Sequence, residues 1–149
     1  MIIKLPKNRV MTIFDFILRL LTAIGAGMII GFERQWHHKS AGLRTNTLVA
    51  TGAALYVLLS INIAERNSDI ARIIGQVVTG IGFLGAGIIL KEGINIRGLT
   101  TAATVWCSAA VGSIAAAGYY IETFIGVLAI ISINSILIPL DKWLSKRRE

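Results

Sequence analysis

Two short polar segments between apolar stretches hold the side chains of this chain that could do chemistry. The first follows the apolar sequence GAGMIIG at 25–31, and the second lies between apolar stretches that end near 90 and resume near 100. Ionisable groups between apolar spans are costly in lipid, so they normally lie at an interface or in a buried polar site. We therefore treat both segments, with one cysteine beyond the second, as one candidate site. Its residues are Glu33, Arg34, Gln35, Arg44, Thr45, Asn46, Glu92, Arg97, Thr100, Thr101 and Cys107.

The charges of this site have two interpretations, which the sequence leaves open. Glu33 or Glu92 could pair with Arg44 or Arg97 and clamp the two segments to the rest of the protein. Alternatively, the site could bind a ligand. Two carboxylates could hold a hard cation such as Mg²⁺, which prefers oxygen ligands. The neighbouring cationic groups make a poor cage for a cation, however. An anion or a phosphate headgroup would suit Arg34, Arg44 and Arg97 better.

The remaining polar residues favour structural roles over catalysis. His37 and His38 are adjacent, so on a helix they point in different directions and do not form a metal pair. Thr45 and Thr100 or Thr101 are expected to cap the helices that they open. Cys107 is expected to be a small buried thiol. Because no nucleophile has a base and an orienting partner, we expect neither an enzyme nor a bound cofactor.

The composition is that of a membrane protein. The 149 residues are 54% hydrophobic and only 15% charged, whereas about a quarter of the residues in soluble domains are charged. The net charge of +7 would suit nucleic acid. The basic residues, however, lie in short segments between apolar runs, which is typical of proteins in a lipid bilayer. We therefore expect no nucleic-acid binding.

The apolar runs predict an all-α bundle of five transmembrane helices. Each run is close to the roughly 20 residues that cross a bilayer core. They cover about 12–32, 46–64, 71–90, 100–117 and 119–140. This gives an N-terminal flank at 1–11, a transmembrane domain at 12–140 and a basic tail at 141–149 with an interfacial Trp143. Asp15 and Arg19 are spaced to pair with each other, and Gly82 and Gly85 are predicted helix–helix contact points.

A weak internal repeat and the charge distribution predict the topology. GAGMII at 25–30 matches GAGIIL at 85–90, and GLRTNTLVATGAAL at 42–55 shares six of its fourteen residues with GLTTAATVWCSAAV at 98–111. Helices one and two would then correspond to helices three and four in a parallel repeat. Loops one and three and the tail carry three, two and four Lys or Arg residues, nine in all, against three and two, five in all, on the other side. The positive-inside rule places the side with nine, and the C-terminus, in the cytoplasm.

Two long motifs carry a family resemblance. GFERQWHHKSAGLRTNTLVATGAAL and GIGFLGAGIILKEGINIRGLTTAATVWCSAAVG closely resemble the MgtC/SapB family of bacterial inner-membrane proteins, over residues from about 15 to 135. The resemblance implies a five-helix membrane domain with a cytoplasmic C-terminus. It also implies a link to magnesium homeostasis, to stress at low magnesium and to virulence through survival inside macrophages. Members of MgtC type are thought to act on membrane partners, including the F-type ATP synthase, rather than to import magnesium.

The chain departs from the MgtC type in two respects. MgtC-type members continue into a soluble domain similar to ACT domains, whereas this chain stops at Glu149 and resembles the shorter SapB- or YhiD-like members. Thr100 stands where MgtC has an Asn, whereas Glu92 and Cys107 match its acidic and cysteine positions. We expect a regulator that acts through membrane partners, and its glycine faces make a homodimer plausible. The alternatives are a small ion transporter or channel with Glu33, Glu92 and Arg97 at its cytoplasmic mouth, and a module that senses lipid or nucleotide.

Overall fold

Five helices, each long and apolar enough to cross a membrane, make up the fold and confirm the predicted all-α class. The computed structural model describes residues 11–63, 67–92 and 95–145. A short antiparallel hairpin, which the sequence analysis treated as a loop, joins the third and fourth helices. The elements are α1 (Ile13–Trp36), α2 (Leu43–Ile63), α3 (Asn67–Ile88), β1 (Leu90–Glu92), β2 (Asn95–Arg97), α4 (Leu99–Ala116) and α5 (Tyr120–Ser145).

Helix α1 extends one turn beyond its predicted end and so carries the first polar residues of the candidate site. It begins after Thr12, whose hydroxyl oxygen accepts a hydrogen bond from the backbone N–H of Asp15 at 3.1 Å. It ends with His38 in the left-handed region, at φ 52°. The N–H groups of His38 and Lys39 then bond back to the carbonyls of Gln35 and Arg34, each at 3.0 Å. This double closure satisfies carbonyl groups that a helix end leaves free.

The connection between α4 and α5 is closed in the same way and is joined by an arginine from α1. Gly118 has φ 88°, and the N–H of Tyr119 bonds to the carbonyl of Ile114 at 3.2 Å. Arg19 donates from Nη1 to the carbonyl of Ala116 at 2.9 Å, rather than pairing with Asp15 as its spacing suggested. The carbonyl end of a helix carries partial negative charge, which attracts a cation.

Helices α1, α2 and α4 form the centre of the bundle because glycines let their backbones touch. A Cβ atom added at Gly27 would lie 2.8 Å from the Cα of Thr47, and one at Gly31 would lie 2.7 Å from the Cα of Leu43. Gly112 of α4 meets the backbone of Ala50 in α2. A fully buried apolar cluster fills the space between the three helices. Its members are Ala23, Ala54, Val57, Leu58, Ala115 and Ala116.

The predicted contact at Gly82 of α3 is wrong. Nothing lies within 4 Å of a Cβ atom built at Gly82, and the nearest atom to one at Gly85 is the Cβ of Ala102 at 3.7 Å. Helix α3 lies at the edge of the bundle, where Phe83 is 82% exposed, and an apolar cavity of about 610 Å³ separates part of it from α2. The two halves of the sequence repeat therefore pack differently: Gly27 touches α2, whereas its counterpart Gly87 has open space.

The hairpin and its glycine fix the start of α4. Leu90 pairs with Arg97 across the hairpin, and Lys91 pairs with Ile96. Gly98 follows at φ 89° with its α-carbon against the carbonyl of Ile88, so a side chain is excluded there for both steric and conformational reasons. Gly98 is the N-cap residue of α4, and the expectation that Thr100 or Thr101 caps this helix is wrong.

Helix α2 also begins without the threonine cap that the sequence suggested. Thr45 lies inside the helix, which starts at Leu43. The side-chain oxygen of Gln35 in α1 instead accepts a hydrogen bond from the N–H of Leu43 at 3.2 Å. The cap therefore comes from a preceding helix, which holds the end of α1 and the start of α2 together.

Candidate functional site

A cleft of about 1120 Å³ opens at the end of the bundle where α1 finishes and α4 begins. The loop after α1, strand β2 and the second half of α5 complete its walls. Three cationic side chains, those of Arg34, Lys39 and Arg97, line it together with one carboxylate, Glu33. We call this space the cationic cleft. Its surplus of two positive charges sets its chemistry, since like charges gathered in a cleft attract ligands of the opposite sign.

Arg34 is the central residue of the cleft. Its side chain is only 2% exposed. One terminal nitrogen, Nη2, donates to the hydroxyl of Thr101 at 2.6 Å and to the carbonyl of Ser40 at 3.3 Å. The Nε of Arg34 is buried and has no hydrogen-bond partner within the described part of the chain. A buried charge is costly unless it is paired and hydrogen-bonded, and these two acceptors are both neutral.

Asn46 holds the loop of the cleft to the bundle below it. It is fully buried, and its amide nitrogen donates to the carbonyls of Ala41 at 2.6 Å and Gly42 at 3.0 Å. Its amide oxygen accepts from the hydroxyl of Ser108 in α4 at 2.9 Å. All the polar atoms of this side chain are therefore satisfied, and the bonds join the loop, α2 and α4.

Glu33 faces α5 rather than the arginines that the sequence analysis proposed for it. Its carboxylate accepts from the amide nitrogen of Asn134 at 3.2 Å and lies 3.7 Å from Nε2 of His37. Among the described side chains, the predicted pairing of Glu33 with Arg44 or Arg97 is not formed. The other half of that prediction concerns Glu92, whose side chain lies outside those that the structure describes.

The structure gathers about half of the predicted site residues into the cleft. Glu33, Arg34, Arg97, Thr100 and Thr101 line it, while Gln35 and Asn46 support it from the adjoining turn. Arg44 and Thr45 are exposed on the first turn of α2 and do not line the cleft, and Cys107 is half-buried further along α4. His37 and His38 are both exposed, as expected.

Four polar residues of this region were missed in the sequence analysis: Ser40, Thr104, Ser108 and Asn134. Asn134 is the most informative, because it bonds to Glu33 and lies 3.5 Å from the hydroxyl of Thr104. An amide within an apolar span is costly in lipid and normally faces the protein interior. That signal was present in the fifth apolar run. Within the described residues there is no group of three or more His, Cys, Asp or Glu side chains that could hold a metal ion.

The fold and the position of the site define a multi-pass helical membrane protein with a cationic cleft at one end. Large apolar side chains are exposed along all five helices, as expected where a bundle meets lipid. The sequence pattern of the MgtC family matches residues 20–143. The chain belongs to the MgtC family.

Named relatives agree with this assignment. The chain is 55% identical over 114 residues to protein MgtC of Brucella abortus, covering 76% of this chain and 48% of that protein. It is 48% identical over 127 residues to protein MgtC of Salmonella typhimurium, covering 85% and 54% respectively. An uncharacterised protein of Synechocystis is 48% identical over 131 residues, covering 88% and 56%. The chain thus spans about half the length of these curated relatives. No solved structure is significantly similar to the chain.

Proposed function

We propose that this chain is a non-catalytic regulatory module of the bacterial inner membrane that acts in the response to low magnesium through a membrane protein partner. Membership of the MgtC family supports the link to magnesium. The observation that carries the regulatory role is the division of the bundle into a polar end and a tightly packed apolar remainder.

The packed part of the bundle favours regulation over ion transport. Six fully buried apolar residues fill the space between α1, α2 and α4, and Gly112 holds α4 in backbone contact with α2. Conduction needs polar groups that replace the hydration shell of an ion along its path. In addition, the surplus positive charge of the cleft repels a divalent cation that approaches from this end.

The same reasoning proposes an orientation. The cleft lies at the end of the bundle that carries nine of the Lys and Arg residues counted above, so we place it in the cytoplasm. A C-terminal alkaline phosphatase fusion should then be inactive and a C-terminal green fluorescent protein fusion should fluoresce. The reverse result would refute this orientation.

Two measurements on the same preparation test the proposed role. A bacterial strain without its own family member should recover growth at low magnesium when this chain is expressed. Purified protein in liposomes should give no more Mg²⁺ flux than liposomes without protein. Flux above that background would contradict the regulatory role and support the transporter alternative. Failure to restore growth by a protein that is folded in the membrane would contradict the link to magnesium.

The family resemblance makes the F-type ATP synthase the first partner to test. Inverted vesicles from the complemented strain should show altered ATP-driven proton pumping compared with vesicles that carry an empty vector. Equal pumping at equal amounts of synthase would exclude this partner and leave the role to be tested with other membrane proteins.

A further inference from the structure

We propose that the cationic cleft binds a phosphate group, which is held by Arg34 and Lys39 and by the free backbone N–H groups at the start of α4. This inference concerns a ligand of the cleft and does not depend on the proposed role in magnesium limitation. It rests on the condition of Arg34, on the charges at the two ends of α4 and on the composition of the cleft.

The first observation is a buried guanidinium that the described part of the chain leaves incompletely bonded. Arg34 is 2% exposed and lines the cleft. The neutral oxygens of Thr101 and Ser40 both accept from its Nη2, while its Nε has no partner among the described residues. A planar guanidinium matches the geometry of a phosphate with two parallel N–H···O bonds. A phosphate at this position would supply both the missing acceptor and the missing negative charge.

The second observation is that α1 directs an arginine to each end of α4. Arg19 bonds to the carbonyl of Ala116 at the C-terminal end, where the helix dipole favours a cation. Arg34 bonds to Thr101 in the first turn, where the same dipole disfavours a cation. An anion between Arg34 and the N-terminus of α4 would convert this repulsion into two attractions.

The start of α4 is also free to bind an anion. Its N-cap residue, Gly98, has no side chain to bond with the N–H groups of the first turn. Those groups have no partner within a helix, and helix N-termini bind phosphate for this reason. Gly98, Leu99 and Thr100 all line the cleft, so an anion placed there would lie within reach of this turn.

The composition of the cleft agrees with an anionic ligand. Lys39 and Arg97 add positive charge to that of Arg34. Glu33 is the opposing charge in the same cleft, but its carboxylate is bonded to Asn134 and lies near His37. The volume of about 1120 Å³ leaves room for a group attached to the phosphate. The apolar side chains of Ile133 and Leu137 in α5 form part of the wall, so the phosphate could be free or could belong to a lipid headgroup.

Calorimetric titration of the purified full chain in phosphate-free detergent, with inorganic phosphate as the probe, tests the free form. Lys39→Gln is the informative variant, because Lys39 is exposed and its replacement leaves the fold intact. Its binding should be weaker by about fivefold, which corresponds to about 1 kcal/mol per basic residue. Arg44→Gln is the matched control, since Arg44 is an exposed cation at the same end of the bundle but outside the cleft lining.

The lipid form is tested with nanodiscs of phosphatidylcholine that contain or lack phosphatidic acid, by counting retained lipids with native mass spectrometry. Selective retention of phosphatidic acid that Lys39→Gln reduces and Arg44→Gln does not would assign the site to a lipid phosphate. Binding of inorganic phosphate with the same dependence would assign it to a free phosphate.

Arg34 is tested separately because its replacement could disturb the fold. Arg34→Lys keeps the charge but removes the planar fork, so its binding should weaken by more than that of Lys39→Gln if the circular dichroism spectrum is native. Two results would overturn the proposal: neither probe binds, or Arg44→Gln weakens binding as much as Lys39→Gln. The second would show general attraction to a basic surface rather than a site in the cleft.

Discussion

The contact between Gly112 and α2 allows a sharp test of what holds the centre of the bundle together. A Cβ atom at Gly112 would lie 2.8 Å from the Cα of Ala50 and closer still to its carbonyl oxygen. Both of these are backbone atoms, so no side chain can rotate away. To reach 3.4 Å, the lower limit of ordinary contact, α4 and α2 must separate by at least about 0.6 Å.

That separation would also affect the hydrogen bond one turn away. Ser108 and Asn46, each four residues before the two contacting positions, are joined at 2.9 Å, and an added 0.6 Å would bring them to about 3.5 Å, the limit of a hydrogen bond. Overpacking costs about 1–3 kcal/mol, and an interhelical hydrogen bond in a membrane protein contributes about 0.6 kcal/mol. Replacing a helical glycine by alanine returns about 1 kcal/mol. We therefore expect Gly112→Ala to lower the free energy of unfolding by about 2 kcal/mol.

The measurement is reversible unfolding of the purified protein in mixed micelles, followed by circular dichroism as the fraction of sodium dodecyl sulfate increases. Gly52→Ala in α2 and Gly82→Ala in α3 are the controls, because nothing lies within 4 Å of a Cβ atom at either position. They should be as stable as the wild type or up to about 1 kcal/mol more stable. The reasoning is refuted if Gly112→Ala unfolds together with these two variants or after them.

The same unfolding assay checks three further predictions. Thr101→Val removes the 2.6 Å acceptor of Arg34 and should destabilise the protein by about 1–3 kcal/mol; the exposed neighbour Thr100→Val should change stability by less than about 0.5 kcal/mol, and equal effects would contradict the bond. Ala41→Gly should stabilise by about 0.5–1 kcal/mol, because Ala41 has φ 56° and left-handed backbone costs a non-glycine residue more than glycine loses in entropy; a loss of stability would contradict this. Arg19→Gln should cost about 1 kcal/mol because the C-terminal end of α4 loses its cation, and an unchanged midpoint would show that this contact contributes nothing.

The close contacts of the bundle show the limit of the sequence argument. Glycine density marks α3 as the contact helix, with four glycines at 80, 82, 85 and 87. The structure instead places the tightest contacts at Gly27 and Gly31 in α1 and at Gly112 in α4. A glycine permits close approach from another helix but does not attract one. Whether its bare face meets a helix, a cavity or lipid depends on how the whole helix is rotated.

The candidate site divides in the same way. That Glu33 and Arg34 belong to a polar site at one end of the bundle follows from their position at the end of an apolar run, since charge is excluded from the bilayer core. Their partners do not follow, because Thr101 and Asn134 are 67 and 101 residues away along the chain. Local spacing suggested Asp15 for Arg19, whereas the structure supplies the carbonyl of Ala116.

The sequence by itself determined the number of helices, the class of protein, its family and the end of the bundle where charge collects. All of these depend on composition over runs of about 20 residues or on long motifs, which remain the same whichever way the helices are packed. Only the tertiary structure decided that the cleft lies between the start of α4, the end of α1 and the second half of α5, and that Arg34 is buried within it. Such contacts depend on the rotation and depth of each helix, and these are fixed by the side chains of several helices packing together at once.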